Sequence, residues 1–353
     1  MPNLKVIDLF CGAGGFSEGF CEAGFDIIAG IDKDSESLET YSYNFKKAMV
    51  FKADLLQSLE EDNKIIKELK VNDVDVILGG PPCQGFSIAG KRKQQDPRNQ
   101  LYKALLYFIE AINPKAILME NVPTILGLYK GKIAEQIVND FEKLGYKAKV
   151  FTLLASDYGV PQNRKRTFFV GLKTRKPFLT PEPAKLFFKI SCEEAISDLP
   201  SLENESGAEV LSYICPTKSD YQKMMRKDSV YIYNHWAVEH TERTKRIISM
   251  VPDGGNYKDL PEHLQNTRKV NIAWTRMNSK KPCFTIDAGH NHHFHYKANR
   301  VPTVRECARI QSFPDRFRFF GKKTSQFRQV GNAVPPLLVK AIAIELKKAL
   351  NNG

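Results

Sequence analysis

No apolar run in this 353-residue chain reaches the roughly 18 residues that a membrane-spanning helix needs, so no membrane partner is expected. The seven cysteines, at 11, 21, 83, 192, 215, 283 and 307, contain no C-x-x-C pair and no regular spacing. That excludes a disulfide scaffold and points to free thiols in a reducing compartment. No leader-like segment precedes Lys5-Val6-Ile7-Asp8, and a cytoplasmic location is expected. Walker A is missing, which excludes a P-loop nucleotide triphosphatase. No internal repeat or long low-complexity tract is present. Acidic residues are outnumbered, 40 Asp+Glu against 52 Lys+Arg, for a formal net charge of +12. Such an excess favours a polyanionic partner, nucleic acid first, with a solvated basic surface as the alternative.

What is present reads as globular, with 42% hydrophobic and 26% charged residues. Short apolar runs alternate with longer amphipathic ones through the first half. The pattern predicts strands over 5–10, 26–31, 74–78, 116–119, 147–154 and 167–172. It predicts helices over 16–22, 35–45, 59–69, 101–112, 134–144 and 336–350. Alternation at this spacing implies an α/β fold, a doubly wound and mainly parallel sheet, whose ligands bind beyond the carboxyl ends of the strands. After about Leu172 the pattern changes. Residues 173–183 read as a linker, and the irregular stretch from Phe187 to about Asn299 as a second, smaller domain.

The strand ends carry the chemistry. Asp8-Leu9-Phe10-Cys11-Gly12-Ala13-Gly14-Gly15 leaves one strand and opens a helix, a turn in which glycine lets backbone pass close to a ligand. It is not the G-x-G-x-x-G dinucleotide fingerprint; a tight turn without ligand is the plain alternative. Asp32 ends the second strand, where it could accept from ribose hydroxyls, and Asp54 could accept from an adenine amine. Val76 to Gly80 leads into Pro81-Pro82-Cys83-Gln84-Gly85-Phe86-Ser87, a cysteine presented rather than packed. Glu120 ends the next strand. Arg164 and Arg166 are spaced to share one strand face.

These pieces, together with Gln162-Asn163-Arg164-Lys165-Arg166, Arg305-Glu306-Cys307-Ala308-Arg309-Ile310-Gln311-Ser312-Phe313-Pro314-Asp315 and Gln329-Val330-Gly331-Asn332-Ala333-Val334-Pro335-Pro336, resemble in order the blocks of the cytosine-5 DNA methyltransferases of the bacterial restriction-modification type. The resemblance runs from residue 8 to residue 336. It implies a Rossmann-like methyltransferase domain over 1–178, completed by 325–353, with a target-recognition domain and hinge over 179–324. It implies S-adenosyl-L-methionine as cofactor, held by Phe10, Gly12, Gly14, Asp32, Asp54, Pro81, Asn332 and Val334. Lys33 stands where some relatives place an aromatic residue against the adenine.

The resemblance also implies the catalytic roles. Cys83 would attack carbon 6 of a flipped cytosine as a thiolate, and Glu120 would hydrogen-bond ring nitrogen 3 and the exocyclic amine. Arg166 would hold the base and Arg164 would support the site. Gln84, Ser87, Lys91, Arg92 and Arg305 would contact DNA, and the polar stretch 88–100 would close on phosphates. The partners implied are double-stranded DNA carrying a specific short site and a cognate restriction endonuclease; a monomer is expected. Arg226, Arg243, Lys245, Arg246, Arg268, Lys269 and Arg276, with Trp236 and Trp274, suit target recognition, unless the tryptophans are core. The cluster His290, His292, His293 and His295 suits DNA contact or plain surface, with zinc as the alternative. Cys283-Phe284-Thr285 resembles a tripeptide of the tRNA-modifying branch, whereas Gly85-Phe86-Ser87 follows the DNA-type pattern.

Overall fold

The computed structural model describes residues 3–55, 63–82, 97–174, 182–203, 205–265, 274–287 and 293–351. They form two compact units. The first comprises 1–154, 165–185 and 336–353, and the second 155–164 and 186–335. Packing therefore puts the ten residues before Lys165, and everything from 186 up to Pro335, in the second unit.

The first unit is built on a seven-stranded sheet: β1 (Lys5–Leu9), β2 (Asp26–Asp32), β3 (Met49–Lys52), β4 (Val76–Gly79), β5 (Ala116–Asn121), β6 (Lys147–Leu154) and β7 (Lys165–Leu172). Its order is β3-β2-β1-β4-β5-β7-β6, parallel except for the antiparallel pairs β5–β7 and β6–β7. The central strands are near-continuous apolar runs, with every residue of β4 buried, as strands covered on both faces must be. Helices α1 (Gly15–Glu22), α2 (Ser35–Asn44), α3 (Asn63–Lys70), α4 (Pro97–Ile112) and α5 (Lys132–Lys143) make the crossovers. The sheet reverses its winding between β1 and β4, the switch point at which such sheets open a crevice.

Register aligns the chemistry. Leu9 pairs with Gly79 and Gly79 with Met119, so β1 and β4 end in register with Met119 of β5, and Phe10, Gly80 and Glu120 are the next residues along each chain. The C-terminal helix Pro336–Asn351 returns to this unit and packs on α1. Gly19 permits that approach: a Cβ there would lie 2.6 Å from the Pro336 carbonyl oxygen. Lys347 donates to the Ala23 and Gly24 carbonyls just past α1, at 3.1 and 2.8 Å, where a cation complements the helix C-terminus.

The second unit holds a hairpin, β8 (Gly207–Ser212) with β9 (Tyr231–Trp236), and the helices α6 (Asp220–Arg226), α7 (Glu242–Ser249), α8 (Val304–Ile310) and α9 (Lys323–Asn332). A separate apolar cluster under α7 includes Ile248, Val251, Trp274 and Phe294. Helix α8 is buried along its whole length and starts with a capping box between Thr303 and Glu306. No helix among the described residues is long and apolar enough to cross a membrane.

Candidate active site

The cofactor turn is shaped by left-handed backbone. Phe10, Gly12 and Gly14 have φ of 61, 50 and 100°. Gly12 donates its N–H to Asp32 Oδ2 at 2.8 Å, and Asp34 donates to the other oxygen at 3.0 Å, so Asp32 is pinned beside the turn. A Cβ on Gly12 would meet nothing within 4 Å, and the turn faces open space at the switch point. Lys33 Nζ lies 3.8 Å from Asp54 Oδ2, so the residue standing at the aromatic position pairs with the carboxylate instead.

Beneath the turn lies a buried polar chain that residue spacing did not reveal. Ser17 donates to Asp8 Oδ2 at 2.8 Å, and the Tyr41 hydroxyl sits 2.8 Å from the same Ser17 oxygen. Asp8 is 1% exposed and its Oδ1 has no hydrogen-bond partner. Burial pushes its carboxyl up to about 7, with the Ser17 hydrogen bond working against that rise. An orphaned buried oxygen, a glycine facing open space and an acidic strand end together fit a polar ligand at this turn.

The second group of site residues meets at the β4, β5 and β7 ends. Arg166 Nε donates to Glu120 Oε1 at 2.7 Å, and both side chains are largely covered, at 14% and 13% exposed. Burial lowers the Arg166 pKa and the Glu120 charge raises it again. A Cβ on Gly80 would lie 3.6 Å from Glu120 Oε2, so the carboxylate stands beside the segment that leads to Cys83. Asn121 then clamps that segment, donating to the buried Pro81 carbonyl at 2.9 Å and accepting from Val122 N–H at 2.9 Å. Cys83, Gln84, Ser87, Lys91 and Arg92 lie outside the described residues, as does the part of the stretch 88–100 before Pro97.

Three expectations need correction. Arg164 precedes β7 rather than lying in it, and its guanidinium is buried in the second unit, donating to the Ile286 and Gly331 carbonyls at 2.9 and 2.7 Å. The shared strand face with Arg166 does not form. Arg305 is not presented to DNA. It is wholly buried and donates to the carbonyls of Tyr233, Pro314 and Phe317, an arrangement that fixes the chain after α8. Arg276 likewise is buried and donates to the carbonyls of Val251 and Ile248.

Arg226 is paired with Asp198 at 2.6 Å, whereas Arg243 and Arg246 on α7 are exposed. Arg268, Lys269, His290 and His292 lie outside the described residues. His295 is buried, and its Nδ1 accepts from the Lys297 and Ala298 N–H groups at 3.0 and 2.9 Å. Trp274 is core at 8% exposed, while Trp236 is 45% exposed. Asn332 is exposed and Val334 buried, both in the second unit.

Gln162, which stands in a motif block without a chemical role of its own, is wholly buried. It donates to Gln311 Oε1 at 2.7 Å and accepts from Ile286 N–H at 2.8 Å, tying together segments far apart in sequence. A polar residue just before a basic pair was the only signal for it.

A switch-point crevice with a glycine turn at one strand end, and a carboxylate–guanidinium pair at the ends of two others, fits an α/β group-transfer enzyme. Residues 4–348 match the family model for C-5 cytosine-specific DNA methylase, and the chain belongs to that family. It is therefore a DNA cytosine-5 methyltransferase. It is 42% identical to the type II methyltransferase M.DdeI of Desulfomicrobium norvegicum, covering 96% of this chain and 88% of that protein. It is 38% identical to the type II methyltransferase M1.HphI of Haemophilus parahaemolyticus, covering 99% and 88%. A solved structure described as a DNA modification methyltransferase encoded within an E. coli prophage superposes with a TM-score of 0.81 at 29% identity, covering 99% of this chain and all of that one. The Dnmt2 methyltransferase of S. pombe superposes at 0.61 with 19% identity, a likeness of fold.

Proposed function

We propose that the chain flips one cytosine out of a specific short site in duplex DNA and methylates its carbon 5 through a covalent adduct on Cys83. The observation that carries this reading is the Glu120–Arg166 pair beside Gly80, three residues before Cys83. The Cys83 thiolate adds to carbon 6 and makes carbon 5 nucleophilic. Glu120, oriented by Arg166, shares a proton with ring nitrogen 3 and accepts from the exocyclic amine, so charge arriving on the ring is neutralised as it develops. Once carbon 5 is methylated, a base takes its proton, and the carbon–sulfur bond breaks to release the thiolate.

S-adenosyl-L-methionine supplies an electrophilic methyl group when bound. Phe10, Gly12, Gly14, Asp32, Asp54, Pro81, Asn332 and Val334 would hold it. The orphaned Asp8 oxygen and the open face of Gly12 support a ligand at the turn. Gln84, Ser87, Lys91 and Arg92 are assigned to DNA contact, and part of the second unit to target recognition. Likeness to type II methyltransferases supports a place in a restriction-modification system with a cognate endonuclease.

Duplex DNA carrying 5-fluorocytosine at the target site tests the reading, the site first being found by bisulfite sequencing of DNA from expressing cells. Covalent trapping with cofactor is expected, and none from Cys83→Ala protein that still binds DNA. Trapping that survives the substitution, or methyl transfer to tRNA alone, would overturn it.

A further inference from the structure

Helix α7 has two faces of opposite character. Ile247 and Ile248 turn into the apolar cluster with Val251, Trp274 and Phe294, while Arg243, Arg246 and Met250 are exposed. Those three stand at i, i+3 and i+7, one stripe along the side away from the core. The helix is fixed at both ends. Thr241 caps its start, accepting from the Thr244 N–H at 3.3 Å. The buried Arg276 closes its last turn, donating to the Ile248 carbonyl at 2.6 Å and the Val251 carbonyl at 2.7 Å. The same guanidinium reaches the His295 carbonyl at 3.0 Å, next in the chain to Phe294 of the cluster. Rotating the stripe would break these bonds, so a rigid element carries the two arginines.

Neither guanidinium is used within the protein. Among the described residues, the Arg243 and Arg246 side chains have no hydrogen-bond, ion-pair or ring partner; the Ser249 hydroxyl donates only to the Arg246 backbone carbonyl. In the same unit Arg226, Arg276, Arg300, Arg305 and Arg309 are all held by carboxylates or carbonyls. The acids close in sequence are engaged elsewhere. Glu242 pairs with Lys245 at 2.9 Å, Asp253 accepts from the N–H and hydroxyl of Ser279 at 2.7 and 2.5 Å, and Asp259 accepts from the Asn256 N–H at 2.7 Å. Residues 266–273 and 288–292, outside the described set, contain no acidic residue.

We propose that α7 is a base-reading element of the second unit: its stripe enters the DNA major groove, where Arg243 and Arg246 donate to guanine edges at adjacent base pairs. This rests on the reading that the substrate is duplex DNA with a specific site, and names residues that read it. A helix about 10–12 Å across fits a major groove about 12 Å wide. Side chains three residues apart start about 5–6 Å from each other, and base pairs stack about 3.4 Å apart, so the two arginines converge on neighbouring pairs. Guanine offers two acceptors, O6 and N7, to the fork of an arginine. Lysine at either position keeps the charge and loses the fork.

The test is Arg243→Lys and Arg246→Lys in the full-length protein. Bisulfite sequencing of DNA from expressing cells gives the site each protein methylates, and kcat/KM is then measured on duplexes carrying each single-base-pair change in the wild-type site. Each variant is expected to lose discrimination about 10-fold or more at one G·C position, the two positions being adjacent, with the other positions unchanged. The salt slope of binding and the unfolding midpoint should hold, because charge and helix propensity are kept.

Lys variants that discriminate as wild type, with Gln variants that lose affinity and salt slope equally on every sequence, would make these phosphate contacts and overturn the proposal. Gln variants that bind and discriminate as wild type also overturn it, and leave the stripe to an acidic protein partner. Relaxation at an A·T position overturns the assignment to guanine. Wild type that neither binds nor methylates any duplex sinks the underlying reading along with this one. A defined wild-type site that all the variants read unchanged sinks this one alone.

Discussion

Glu120 and Arg166 meet at 2.7 Å although their strands run in opposite directions. Asn121 pairs with Thr167 across those strands, which brings residue 166 to the carboxyl end of β5. Arg166 thus lies beside a carboxylate it can orient, and Glu120→Gln keeps the shape while losing the ability to hold a charge-assisted proton. The variant is expected to slow methyl transfer by roughly 10²–10³-fold, the usual scale for removing one electrostatic stabiliser from an active site. Single-turnover kinetics on target duplex is the check. A rate within a factor of three of wild type would remove Glu120 from the chemistry.

The second unit should depend heavily on Arg309. Its guanidinium is wholly buried, takes Asp315 through both carboxylate oxygens at 2.6 Å each, and reaches Asp198 Oδ1 at 3.0 Å. Burial works against the cation, but Asp315 and Asp198 more than restore it, so its pKa lies above the ordinary arginine value. Arg309→Met leaves two buried carboxylates facing each other and should cost about 3–5 kcal/mol of stability. Both tryptophans lie in this unit, so their fluorescence in a denaturant series follows its unfolding. A cost under about 1 kcal/mol would show that the network contributes little beyond its own desolvation.

Gly30 on β2 tests the floor of the cofactor turn. A Cβ there would lie 2.4 Å from two Tyr41 ring carbons and 2.8 Å from its hydroxyl oxygen. Gly30→Ala therefore pushes Tyr41 off Ser17 and costs about 1–3 kcal/mol by overpacking. Calorimetric titration with S-adenosyl-L-methionine should show weaker binding as the Ser17–Asp8 link loosens. Unchanged affinity in a folded variant would mean that the chain beneath the turn does not set its shape.

Strand positions were legible because buried parallel strands are apolar runs with few alternatives. The row formed by Leu9, Gly79 and Met119 follows from them, and it puts Phe10, Gly80 and Glu120 together. The ion pair itself was not legible, since a strand's direction leaves no mark on its own residues. Arginine misled for a related reason. Arg276 and Arg305 look like DNA ligands in a basic chain, and Arg164 like a strand-face neighbour of Arg166, yet each is buried in a shell of carbonyls. For Arg164 that shell comes from Ile286 and Gly331, more than a hundred residues away, and no local spacing encodes it. Trp236 and Trp274 carry no sign of which is core; only the tertiary packing of Trp274 on Phe294 decides it.

The two units should respond to acid in opposite directions. Asp8 is raised by burial to about 7, against about 4 for an unfolded aspartate. Between those values the folded chain keeps a proton that the unfolded chain has released, so stability falls as pH rises from about 4 to 7 and then levels. His295 is lowered by burial to about 4, with Glu306 opposing, against about 6.5 unfolded. There the unfolded chain holds the extra proton, so stability rises with pH from about 4 to 6.5 and is lost below. Each group contributes at most about 1.4 kcal/mol per pH unit. Native-state hydrogen exchange separates them, with amides of β1 reporting Asp8 and those of α8 reporting His295. Asp8→Asn should flatten the first slope alone and His295→Gln the second alone. Slopes of one sign in both units, or a substitution that flattens the other unit's slope, would mean that these buried groups do not govern the acid response.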